Sequence, residues 1–433
     1  MLAGVDHHMW PAGITAGPFF RVNSAGDYDI YIVVLEVSGL TLGATVPSGA
    51  QPGGSTGYCH VWKATDGGHY FKKQDEFNAP AFAVQPDGCP GFAAAQDTDD
   101  LYMVVPRYKM TGGSPVNDVA LDIRTFDCAT DTWGALVSTN PNDSAVALNT
   151  LATTPAPYQM ALRSNGDIVL VYVKDVSSVD KVYVNTYDVS GATWTGEQSS
   201  GDSGGVVPVS ILLGESDTVH IANWDVANDE IDMVALDSSD TLGTYRAGEV
   251  SLGSPGPAAW PTGRPVLYGS TLYFPFIESV SGNFGVIVAT AAAGTDPTFT
   301  TAQLLSSADI SGDAGLKIDL GGEDSVGNPS MVVVGGVVYA IWAGDYKLIS
   351  SKLAGTWGAA DYIPFGEVPS YQEGGGVEDV ANLSAVQLPS NLGGFGVLGA
   401  AKDSASSAWY TWYQTYSLVS SGSGSGGNSV AFG

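Results

Sequence analysis

Short apolar runs recur along the whole chain, each followed by a polar turn and a second run of similar length. The stretch GDIVLVYVKDVSSVDKVYVNTYDVSGATW, residues 166–194, shows the unit most fully. In its first run Ile168, Leu170 and Tyr172 alternate with Val169, Val171 and Val173, so both faces are apolar, as in a strand held between two sheets. The second run, Lys181 to Asp188, is dense in Val and Tyr and follows the polar loop KDVSSVDK. Gly191 then supplies turn freedom, and Trp194 is a large apolar anchor.

The pattern predicts seven such units, with their leading strands beginning near Ile30, Leu101, Ile168, Thr218, Leu272, Val337 and Phe395. A shorter apolar piece ending in a tight-turn signal precedes each one, as in FFRVNSAGD, MALRSNGD and SMVVVGG, and predicts an inner strand entering a hairpin. After most units a short outer strand is marked by an aromatic: Tyr70, Trp133, Trp194, Tyr245, Phe299 and Trp357. Four antiparallel strands in about 60 residues describe a β-propeller blade. The expected fold is therefore all-β, a seven-bladed β-propeller of four-stranded antiparallel blades over residues 14–417, with six blades as the alternative. Helical periodicity is absent, and 56 Gly with 23 Pro interrupt the chain too often for long helices. The seventh unit lacks an outer strand. Either Leu2 to Trp10, within an N-terminal segment of residues 1–13, or Ser429 to Phe432, within a Gly/Ser-rich tail of residues 418–433, is expected to supply it.

Composition narrows the partners. Acids outnumber bases 45 to 16, a formal charge of -29. A field of that sign repels phosphate backbones and anionic lipid heads, so neither nucleic acid nor membrane insertion is expected. The segment MLAGVDHHMWPAG has no basic start followed by an apolar run, so it predicts no secretory leader. Cys59, Cys89 and Cys128 lack metal-type spacing, and their odd number leaves at least one thiol unpaired.

In such blades the connections between second and third strands, and between one outer strand and the next inner strand, emerge on one face. Here they are long and carry the unusual residues. Trp224, Trp260, Tyr346 and Tyr371 are candidate stacking surfaces for sugar rings, with Arg107, Arg264, Asp225 and Asp345 as hydrogen-bond partners. The alternative is that each aromatic packs its loop against its own sheet. Acid clusters at Asp97–Asp100, Asp225–Asp232 and Asp309–Asp324 raise calcium as a cofactor, but solvated acidic loops are the favoured reading and no cofactor is expected. The last resembles an EF-hand loop only at its start, since Ala314 and Leu320 occupy the positions of the turning Gly and the bidentate Glu. No catalytic residue and no metal ligand is assigned: nothing fixes a nucleophile beside a base, and no two carboxylates are placed for glycoside cleavage.

YDVSGATW (187–194), FDCATDTW (126–133) and KLAGTW (352–357) resemble the sialidase-like and Kelch-like propeller families over about residues 14–417. The chain departs from the sialidase pattern in having no S-x-D-x-G-x-x-W box and no recognisable arginine triad among its six arginines. Its Gly, Ser, Thr and Ala-rich loops and excess Asp are similar to structural and adhesion proteins of tailed viruses. That resemblance implies a non-enzymatic virion protein, extracellular and oligomeric or part of a larger assembly, which binds a host-surface glycan or a neighbouring virion subunit through the loop-rich face. The alternative is a polysaccharide-acting glycoside hydrolase or lyase with its active site in the propeller.

Overall fold

A computed structural model describes residues 13–37, 56–65, 72–80, 93–97, 99–111, 114–138, 146–147, 158–175, 179–202, 204–252, 263–280, 283–294, 297–304, 329–344, 347–358, 360–367, 377–389, 394–403 and 409–416. Among these residues the only helical element is a 3-10 turn, Glu215–Asp217. Seven antiparallel sheets follow one another along the chain. Their second strands are Tyr28–Val37, Asp100–Thr111, Ile168–Asp175, Val219–Asp225, Thr271–Val280, Val337–Gly344 and Phe395–Asp403, each beginning within two residues of its predicted start.

Sheets 1 to 6 run in simple inner-to-outer order. Sheets 2, 3 and 6 add a short extra strand beside the third, and sheet 7 has three strands, Val377–Gln387, Phe395–Asp403 and Trp409–Tyr416. The segments expected to complete sheet 7, Leu2 to Trp10 and Ser429 to Phe432, lie outside the described residues. In chain order each inner strand lies against the next, and the inner strand of sheet 1, Gly13–Val22, lies against that of sheet 7. This is a propeller-like arrangement.

The apolar face-to-face packing explains why the strands read as continuous runs rather than strict alternations. Ile168, Leu170 and Tyr172 pack with Tyr102, Val104 and Ile123 of sheet 2, whereas Val169, Val171 and Val173 enter the large core shared by sheets 3 to 6. One strand thus serves two interfaces. Ile30 and Ile32 of sheet 1 join Leu398 and Tyr413 of sheet 7 in another cluster, which links the first and last sheets. Each fully buried Leu, Ile or Val side chain of this kind contributes about 1.5–3 kcal/mol.

The repeated Asp and Trp of the turn motifs have distinct tasks. Asp127, Asp188 and Asp237 open the turn after the third strand and accept backbone amides, as from Ala129 (2.7 Å), Gly191 (2.8 Å) and Ser239 (2.8 Å). Hydrogen bonds hold all three carboxyls below their ordinary pKa, led by the Thr130 hydroxyl at Asp127, the Gly191 amide at Asp188 and the Thr241 amide at Asp237. Trp133 and Trp194 return over Phe126 and Tyr187, with ring centroids 5.3 and 5.0 Å apart.

The inner strands are bent where they meet. Pairing slips between Ala16 and Phe19 in sheet 1, between Pro208 and Ser210 in sheet 4, and between Ala381 and Ser384 in sheet 7. Gly17 in the first of these bulges has φ +116°, and a Cβ there would lie 3.1 Å from the Tyr31 carbonyl oxygen, so only glycine fits.

Candidate functional site

Polar groups on the inner strands form hydrogen bonds that pass from sheet to sheet. The Gln96 amide bonds both the carbonyl and the N–H of Phe20, at 2.7 and 3.1 Å, joining sheets 1 and 2. Ser210 Oγ donates to the Gly263 carbonyl at 2.5 Å, joining sheet 4 to the segment that leads into sheet 5. Ser330 Oγ accepts the Ala385 N–H at 2.9 Å, joining sheets 6 and 7. Burial of Ser210 and Ser330 is thereby compensated.

Gly263 and Arg264 sit where these bonds converge. A Cβ on Gly263 would come within 2.3 Å of the Pro275 carbonyl oxygen and 2.8 Å of the Pro329 one, so this backbone is wedged between sheets 5 and 6. Arg264 N donates to Pro329 O at 2.9 Å, and Met331 N donates to Arg264 O at 2.8 Å. This parallel bridge, Arg264 to Ser330, fixes the Arg264 backbone on both sides.

From that fixed base the Arg264 side chain reaches toward sheets 7 and 1. Its Nη1 donates to Ser384 Oγ, and also to the Gly17 carbonyl at 3.4 Å. Both acceptors follow or occupy an inner-strand bulge. Protein surrounds the side chain closely enough to pull the guanidinium down to about 10, yet the residue is exposed to solvent and stays charged at neutral pH.

Four other cations among the described residues are paired with acids. Arg21 pairs with Asp99 (2.5 Å), Lys63 with Asp29 and Asp131 (3.1 and 2.9 Å), Arg163 with Asp240 (2.8 Å), and Lys174 with Glu197 (2.7 Å). Among the described residues no carboxylate pairs with Arg264, whose partners there are a hydroxyl and a carbonyl.

The remaining sequence-predicted residues do not gather around it. Trp224 is buried in the shared core of sheets 3 to 6, so its rings pack the protein interior. Asp225 accepts from Ala227 N (2.9 Å), Asn228 N (3.2 Å) and Asn228 Nδ2 (2.8 Å), which makes it a turn-former. Arg107 lies in the second strand of sheet 2 opposite Ala120. Trp260, Asp345, Tyr346 and Tyr371 lie outside the described residues. Sequence reasoning missed Ser384, Gly17, Ser210 and Ser330. A lone small polar residue inside an otherwise apolar inner strand was the available signal.

The acid clusters resolve into separate local roles. Asp99 pairs with Arg21, and Asp232 accepts from Tyr245 OH (2.6 Å) and Gly248 N (2.7 Å) while burial raises its pKa. Asp309–Asp324 lies outside the described residues. Among the described residues no group of three or more His, Cys, Asp or Glu is placed to hold a metal ion. No described helix is long and apolar enough to cross a membrane.

No protein-family model matches the sequence, and no curated protein matches it. Among solved structures, the chain is similar to a copper-bound fungal alcohol oxidase of the AA5 family, with 12% identity over 94% of this chain and 75% of that one and a TM-score of 0.51. It is also similar to a NanB sialidase of Streptococcus pneumoniae, at 12% identity over 95% of this chain and 70% of that one (TM-score 0.46). A third is the polysaccharide lyase Uly1, at 11% identity over 92% and 89% (TM-score 0.44). At such identities the likeness is one of fold, and the first of these supports a propeller-type architecture.

Proposed function

We propose that the seven sheets close into a seven-bladed propeller and that the chain acts on a polysaccharide, held at the mouth of the axial channel where Arg264 projects. The single observation that carries this reading is a charged, solvated guanidinium built into the junction of the inner strands with no carboxylate partner among the described residues. A stabilising arginine would be paired; one left without an acid partner is available to a ligand.

The test is depolymerisation. Purified protein is incubated with a panel of neutral and acidic polysaccharides, and new chain ends and product size are measured. The reading expects shortening of at least one polymer, lost in Arg264→Ala. Neither binding nor shortening of any polymer would contradict it. The adhesion role implied by the virus-protein resemblance shares the saccharide and differs in turnover, so binding without shortening would favour it.

A further inference from the structure

We infer that Arg264 is a carboxylate-binding residue and that the saccharide taken at this site bears uronate groups. This rests on the saccharide reading above and names its chemical class. An arginine presents two hydrogen-bonding edges, and the one made by Nε and Nη2 matches the two oxygens of a carboxylate. Here Nη1 is the nitrogen engaged by Ser384 and Gly17, and neither Nε nor Nη2 makes a hydrogen bond among the described residues. The protein therefore anchors one corner of the guanidinium and leaves the fork without a hydrogen bond among the described residues.

Charge then restricts what can occupy the fork. The four ion pairs around Arg21, Lys63, Arg163 and Lys174 each place an acid against the cation. At Arg264 the neighbours are neutral, so a bound anion would complete a pair that the described residues do not supply. The whole chain carries -29, which disfavours a densely charged ligand such as a polyphosphate or a heavily sulfated chain. A carboxylate on an otherwise neutral, hydroxyl-rich ring supplies the one negative charge that this single cation can pair. Ser384 Oγ accepts from Nη1, so its own proton is left to donate to a ring hydroxyl or to the carboxylate.

Titration calorimetry with oligogalacturonate and oligoglucuronate, each also as its fully methyl-esterified form, and with a sulfated oligosaccharide tests this. Wild-type protein is expected to bind one acidic oligosaccharide about ten- to hundredfold more tightly than its ester, the range of a charge-assisted hydrogen bond. Arg264→Ala should bind acid and ester equally, and Arg264→Lys, which keeps charge without the fork, should retain a small part of the preference. Ser384→Ala, which frees the anchored corner, should lower the preference severalfold and serves if Arg264→Ala does not fold. Equal binding of acid and ester by the wild type, a preference that survives Arg264→Ala, or tighter binding of the sulfated chain would overturn the inference while leaving the saccharide reading standing. Binding of no oligosaccharide would overturn both.

Discussion

Arg163 and Arg264 are both crowded by protein, yet their surroundings differ in one respect that decides their roles. Arg163, at the seam between sheets 3 and 4, is buried and paired with an acid: Nη1 meets Asp240 at 2.8 Å and Nη2 meets the Asp237 carbonyl at 2.6 Å, while Nε has no partner among the described residues. The same Asp240 carboxylate also accepts from Thr186 Oγ1 at 2.6 Å, and its carbonyl accepts from Gln198 Nε2 at 2.7 Å. Here the cation is a fastener, because its charge is met by the Asp240 carboxylate. Arg264 is held by its backbone and one corner of its side chain, and the rest meets water. A solvent-exposed cation held only by neutral partners contributes little to stability, and such an arrangement is retained for what it can bind.

The largest expected effect separates the two on stability. Arg163→Met should lower the unfolding free energy by about 3–5 kcal/mol, since it strands the Asp240 carboxylate and the Asp237 carbonyl, and should leave saccharide affinity unchanged. Denaturant titration beside calorimetry reads both quantities. A loss of affinity with no loss of stability would erase the distinction.

His220 sharpens the comparison, because it is unpartnered and dry whereas Arg264 is unpaired and wet. It is fully buried, neither ring nitrogen has a hydrogen-bond partner among the described residues, and burial pushes it down to about 4. A histidine lowered in the fold takes up its proton more readily when unfolded. Its contribution is therefore intact above the unfolded value of about 6.5 and falls as pH drops toward about 4. His220→Leu should raise stability by about 1–3 kcal/mol at neutral pH and flatten the pH dependence across that window. Melting curves from acid to neutral pH check it; an unchanged slope would mean that the imidazole finds a partner.

Asp237 divides the fastening at the seam. Its carboxylate bonds Ser239 N (2.8 Å) and Thr241 N (2.9 Å), while its carbonyl serves Arg163. Asp237→Ala should cost about 1 kcal/mol at neutral pH through the turn alone. Because the fold lowers this carboxyl, its contribution is present above the ordinary carboxylate range and is lost as pH falls through the folded value. Smallest of all, Arg264→Ala should shift stability by less than about 1 kcal/mol, measured in the same titration, since only neutral partners are left behind.

Most of the fold was legible because its signals are local. An apolar run such as IVLVYV reports burial on both sides, and an Asp before a tight turn reports the hydrogen bonds that close it. The site was legible only in part. Arg264 was a candidate, but its anchors come from Gly17, 247 residues earlier, and Ser384, 120 residues later. No local pattern brings them together; only the meeting of inner strands does. Trp224 shows the opposite limit. An aromatic next to an Asp at a strand end has the same sequence appearance whether it faces a ligand or the core, and here the packing of sheets 3 to 6 claims it.

The most direct test is a crystal structure of the protein with a bound oligouronate. The account predicts one carboxylate lying against Nε and Nη2 of Arg264. A saccharide bound elsewhere, with that edge of Arg264 facing water or paired to an acid of the protein itself, would contradict it.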